Sequence, residues 1–180
     1  MRFIFYILLV FLTISCSSSS NFGVPSGEPK ILGEAPNFIL NDLHGGTVSL
    51  KQFRGHPVLI HFWASWCAQC THELPVFERI YQKYKAQGLI VFSVVVDDSK
   101  EDLLDYLKAR PYSFVIATDE DEKAKFLYEI TALPSTVLVD KDGNLRPLLD
   151  PDSDVLVNPV VGPRNWATAS GLKYIEKFLH

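Results

Sequence analysis

Two of the three cysteines in this 180-residue chain, Cys67 and Cys70, stand two residues apart in the stretch FWASWCAQCTHELP, residues 62–75. Thiols at this spacing can clamp a metal, staple the chain or trade electrons through a reversible disulfide. As a staple the pair is weak, because closing so short a loop restricts the unfolded chain little. Structural zinc would need more ligands: His72 is close in sequence, but no second cysteine pair supplies the rest. Covalent haem would need histidine directly after Cys70, where Thr71 stands. The surroundings favour redox chemistry. The near-continuous apolar run PVLIHFWA (57–64) predicts a strand buried on both faces. Beyond Cys67, Leu74, Phe77, Ile80, Tyr81 and Tyr84 recur at helical spacing. Cys67 is therefore expected at a helix N-terminus, where unpaired N–H groups and the helix dipole stabilise a thiolate. Such a site lowers a thiol pKa from about 8.5 to roughly 3.5–7.5. Cys70, about one turn deeper, is placed to attack a mixed disulfide on Cys67.

The elements that must hold this pair are legible around it. LIVFSVVV (89–96) predicts a second buried strand, and Gly88 ends the helix before it. Ser99 with Asp102 opens a helix carrying Leu103, Leu104 and Leu107 inward, with Pro111 past its end. Residues 113–117 suggest a short strand, and residues 119–129 a helix with an acidic first turn. STVLVD is a third apolar strand, turned by Lys141-Asp142-Gly143-Asn144 into the next. NFILNDLHGGTVSL alternates apolar and polar residues around His44-Gly45-Gly46, a hairpin signal. Leu172, Ile175, Phe178 and Leu179 mark a closing helix. Alternating strands and helices indicate an α/β sandwich with a central sheet. The hydrophobic fraction of 47% supports one core, and a net charge of −4 with scattered basic residues argues against a nucleic-acid surface. Asp97-Asp98 reads as a loop rather than as paired catalytic carboxylates, Trp63 as core and Trp166 as packing.

The first residues are not expected to join the fold. Residues 3–14, FIFYILLVFLTI, follow Arg2 and fall short of the roughly 20 residues of a spanning helix, as a signal peptide does. The stretch ends in TISC and resembles a bacterial lipoprotein signal (1–15) with Cys16 as the lipidated residue, although Leu12 stands four rather than three positions before it. Ser17–Ser20 begin a polar tether, taken as 16–32, ahead of a domain spanning 33–180. This arrangement places the domain outside the cytoplasm, lipid-anchored to a bacterial membrane, where a disulfide can persist.

FWASWCAQC is similar to the thioredoxin signature, and WCAQCTHELP resembles the C-x-x-C-x-x-E-x-P pattern of the membrane-anchored TlpA/ResA group of thioredoxin-like proteins. GEAPNFILNDLHGGTVSLKQFRGHPVLIHFW resembles that group's N-terminal extension, ITALPSTVLVDKDG its cis-proline segment, and GPRNW a motif found in relatives. The resemblance, over residues 33–180, implies a thioredoxin-like fold: a central mixed β-sheet flanked by helices, with an N-terminal β-hairpin extension. It implies thiol–disulfide oxidoreductase activity on protein thiols and disulfides such as apocytochrome c, a membrane thiol reductant as electron donor, a monomer, and neither metal nor bound cofactor. Residue by residue it assigns attack to Cys67, resolution to Cys70, shielding to Trp66, the cis bond to Pro134, substrate-backbone pairing to Leu133, and proton transfer to Glu73. Pro75 falls inside the helix.

The sequence departs from the group's pattern at three places. Gln69 stands where proline is common, residues 148–162 are longer than usual, and His61 replaces a buried Asp or Asn beneath the resolving cysteine. His61 is weighed as a proton relay against a core histidine satisfied by a backbone carbonyl, and Glu73 against an exposed helix residue. Two rival functions are set beside the main reading. A peroxiredoxin-like peroxidase normally carries threonine three residues before its cysteine, where Ala64 stands; related copper carriers space their cysteines three apart and add a distant histidine.

Overall fold

A computed structural model describes residues 30–96 and 98–179. The lipoprotein signal, Cys16, most of the tether and Asp97 lie outside the described residues. The strands are β1 (Gly33–Glu34), β2 (Ile39–Asp42), β3 (Thr47–Ser49), β4 (Val58–Trp63), β5 (Ile90–Val96), β6 (Val115–Asp119), β7 (Ser135–Val139), β8 (Asn144–Arg146), β9 (Leu148–Leu149), β10 (Leu156–Val157) and β11 (Val160–Val161). The helices are α1 (Ala68–Tyr84), α2 (Lys100–Lys108), α3 (Lys123–Leu127) and α4 (Ala169–Glu176). The main sheet runs β1-β8-β7-β4-β5-β6-β2-β3, with β11 added to β7. β4, β5 and β6 are parallel and β7 is antiparallel to β4, so the sheet is mixed as expected.

The apolar runs become the middle of this sheet because only a strand covered on both faces can bury every side chain. All six residues of β4 are buried. Their alternation divides them: Val58, Ile60 and Phe62 join the cluster with Phe38 and Phe92, while Leu59 and Trp63 join the cluster with Leu74 and Phe77 of α1. His61, between Leu59 and Trp63, therefore points to the α1 side. The Trp63 indole on that face donates to the Ser93 hydroxyl of β5.

The N-terminal hairpin pairs β2 with β3 and joins the sheet through β6. Ser99 caps α2, accepting from the Asp102 amide at 3.0 Å. Gly143 takes φ +80° in the β7–β8 turn, a conformation that side chains disfavour.

Three expectations need adjustment. The strand placed at 113–117 lies two residues later, at Val115–Asp119. The helix placed at 119–129 is only Lys123–Leu127, and its acidic residues precede it. Asp119, buried at the end of β6, accepts from the Ala124 and Lys125 amides at 3.1 and 2.8 Å, and Glu122 turns through φ 53° to allow this. The closing helix stops at Glu176, so Phe178 and Leu179 pack from beyond its end. The long 148–162 segment folds as the β9–β10 hairpin and then β11, which pairs with Ser135 and Thr136 beside Pro134.

Candidate active site

The reactive pair sits where β4 gives way to α1. Cys67 is the N-cap of α1, and its sulfur accepts the Cys70 amide at 3.2 Å in the role a serine or aspartate oxygen usually fills. Cys67 and Cys70 are joined by a disulfide. Cys67 is half-buried and Cys70 fully buried, so Cys67 is the sulfur that a partner can reach. Trp66 beside it is 62% exposed. The preceding loop is tied down by Asp98, whose carboxylate accepts from the Ser65 amide at 2.6 Å and the Ser65 hydroxyl at 2.9 Å. The loop reading of Asp98 missed this contact, because its partner lies 33 residues away in sequence.

The Leu133–Pro134 bond is cis. Pro134 is buried and Leu133 partly so, and the Pro134 carbonyl accepts from the Gly162 amide at 2.8 Å. Pro75 lies inside α1, where its missing N–H leaves the Thr71 carbonyl without its usual helical donor.

Glu73 follows Cys70 by about one helical turn, on the buried face of α1. The exposed-residue alternative is excluded, since Glu73 is only 4% exposed. Oε1 accepts from the Arg164 amide at 2.6 Å and from the Trp166 indole N–H at 2.8 Å. Trp166 is thus more than packing: its ring is buried, and its one polar atom is spent on this carboxylate. Oε2 has no hydrogen-bond partner and faces Nε2 of His61 at 3.8 Å, beyond direct hydrogen-bond range. Burial pushes the Glu73 carboxyl up to about 7, against the pull of its two N–H donors.

His61 is 1% exposed, and burial lowers its pKa to about 3, so the ring is neutral at physiological pH. Its polar partner is a side chain rather than a backbone carbonyl: Nδ1 lies 3.0 Å from the hydroxyl of Thr136, the residue opposite it on β7. If Nδ1 carries the proton and donates to Thr136, Nε2 is a lone pair that can accept from a protonated Glu73. If Thr136 donates instead, Nε2–H points at the carboxylate. The expected position beneath the resolving cysteine resolves into an apposition with Glu73.

A shallow pocket of about 300 Å³ opens beside Glu73 between Gln69, His72 and Val76 of α1 and Asp152, Pro163, Arg164 and Asn165. A larger groove, about 960 Å³, lies along Phe38, Ile39, Phe126 and Leu127 and holds none of the redox residues, so size does not mark the chemistry here. Among the described residues no three His, Cys, Asp or Glu side chains are grouped to hold a metal ion.

Residues 31–147 match the AhpC/TSA family. A relative from Bacillus cereus named thiol-disulfide oxidoreductase ResA is 33% identical over 141 residues, 77% of this chain and 82% of the relative. A ResA from Geobacillus kaustophilus is 31% identical over 144 residues, 79% of this chain and 83% of its own. Among solved structures, one described as a thiol:disulfide interchange protein DsbE from Chlorobium tepidum is 27% identical with a TM-score of 0.72, covering 85% of this chain and all of its own.

Proposed function

Because the chain belongs to the AhpC/TSA family, as a ResA-like thiol–disulfide oxidoreductase of thioredoxin-like fold, we propose that it reduces disulfides in secreted or membrane-bound proteins outside the cytoplasm. The observation that carries this reading is the asymmetry of the pair: Cys67 half-buried at a helix N-terminus, Cys70 buried one turn below.

In the reduced protein, helix α1 stabilises the Cys67 thiolate. That thiolate attacks one sulfur of a substrate disulfide; a Cys67–substrate bond forms and the other substrate sulfur leaves as thiolate. Cys70 then loses its proton and attacks Cys67, closing the intramolecular disulfide and releasing the second substrate thiolate. Glu73, poised near neutral pH by burial, takes the Cys70 proton, with the neutral His61 ring facing its free oxygen at 3.8 Å. The Leu133 backbone beside cis-Pro134 receives the substrate chain, and Trp66 covers the pair. A buried carboxylate also opposes thiolate charge, which favours giving electrons away. No bound cofactor takes part, and a membrane thiol reductant restores the dithiol. Apocytochrome c is a substrate of fitting chemistry. The apolar stretch 3–14 and Cys16 support a lipid-anchored, extracytoplasmic location.

The test is direction. The midpoint potential should lie nearer the about −270 mV of thioredoxin than the about −120 mV of a strong oxidant. Thiol trapping in living cells should find the pair reduced. A potential above about −180 mV with the pair oxidised in cells reverses the reading.

A further inference from the structure

The two donors to Glu73 come from outside its own helix. Both belong to the segment between β11 and α4, beyond the residues that match the family. They converge on one oxygen, Oε1, and Oε2 is left buried without a partner. A carboxyl oxygen already holding two N–H donors is a poor place for a proton, whereas one with no donor is a good one. We propose that Trp166 is a positioning residue of this enzyme: with the Arg164 amide, its indole N–H locks the Glu73 carboxyl in one orientation, so that the proton Glu73 gains in turnover sits on Oε2, facing His61.

Packing supports a fixed clamp. The Phe77 ring packs against both side chains, 4.3 Å from the His61 ring and 5.5 Å from the Trp166 ring, centroid to centroid. The clamp is itself braced, since the Arg164 guanidinium is held at 2.8 Å by Asp150 from the β9–β10 hairpin. The 148–162 segment, whose Leu148, Leu149 and Val160 share the buried cluster of Cys70, thereby also braces the Glu73 carboxyl. The charged and titratable groups around Glu73 are His61 from β4, His72 on α1, Arg164 of the clamp and Asp150 and Asp152 of the hairpin, with the cysteine pair one turn away on α1. Of these the clamp alone is seen to donate to the carboxylate, so its loss should make ionisation harder.

This inference rests on Glu73 acting in proton transfer, but its test reads Glu73 directly, in the oxidised protein and without substrate. The carboxyl titration of Glu73 is followed by infrared difference spectroscopy, with Glu73→Gln identifying the band. Trp166→Phe keeps a ring and removes the N–H. It should move the Glu73 midpoint upward by about one pH unit, the scale of one lost hydrogen bond to a charge. In the unaltered protein, the Trp166 indole proton followed by NMR should titrate with the same midpoint as Glu73, and should stop titrating in Glu73→Gln. That second measurement needs no Trp166 variant to fold. A Trp166→Phe protein that loses thermal stability with an unmoved Glu73 midpoint overturns the proposal, as does an indole proton that is flat between pH 5 and 9. Absence of disulfide reductase activity in the unaltered protein, with the two titrations as stated, would instead count against the functional reading.

Discussion

Replacing Glu73 with glutamine removes a buried charge and little else. The amide oxygen can keep the Arg164 and Trp166 donors, and the amide nitrogen occupies the place of Oε2, facing His61 Nε2. The folded protein raises the carboxyl from 4.5 to about 7 through burial. Between those values the folded state binds more protons than the unfolded state, so the stability of the unaltered protein falls as pH rises through this window. The gap of about 2.5 units at 1.36 kcal/mol each amounts to about 3 kcal/mol at pH 8 and above. The variant lacks that loss. Its advantage over the unaltered protein should be below about 1 kcal/mol at pH 5 and should grow to about 3 kcal/mol by pH 8–9. His61 titrates in the unfolded states of both proteins and stays neutral in both folded states across this range, so it cancels. Urea unfolding of the two oxidised proteins, in which neither cysteine titrates, measures the difference. A gap that is constant from pH 5 to 9, or that closes as pH rises, would refute the placement of an ionisable, burial-raised carboxyl at Glu73.

His61→Asn should slow release of substrate from the mixed disulfide, with the defect shrinking as pH rises and Cys70 ionises unaided; unchanged release at every pH together with lower thermal stability would leave His61 as a core residue only. Asp98→Ala removes both contacts to Ser65, and should cost about 1–3 kcal/mol in urea unfolding while leaving the far-UV circular dichroism unchanged. No loss of stability would show that the loop before Cys67 does not depend on Asp98.

The pattern of the fold was legible where one physical rule dominates. Runs such as 57–64 and 89–96 are short, rich in β-branched and aromatic residues and flanked by Pro57 and Gly88, which favours a doubly covered strand over a buried helix, and both are central strands. Cys67 at the start of a helix followed from the spacing of Leu74, Phe77 and Ile80 alone. The segment 119–129 misled because acidic residues suit a helix's first turn, yet Asp119 serves the helix from the end of the preceding strand. The site was legible only in part. Glu73, Cys67 and Cys70 lie within two turns of one helix, so a linear motif can hold them. The Trp166 and Arg164 donors lie 93 and 91 residues from Glu73, and Thr136 lies 75 from His61. No local spacing encodes such contacts. Strand alternation could have shown that His61 shares a face with Leu59 and Trp63, and so turns toward α1.

In the proposed cycle Cys67 attacks and Cys70 resolves. Incubating Cys70→Ser and Cys67→Ser variants with a disulfide-containing protein substrate, quenching with acid and resolving the products on non-reducing gels tests this division of roles. Cys70→Ser should accumulate a covalent mixed disulfide through Cys67 that dithiothreitol releases, and Cys67→Ser should accumulate none. Equal trapping by both variants, or trapping by Cys67→Ser alone, would exclude Cys67 as the attacking thiol.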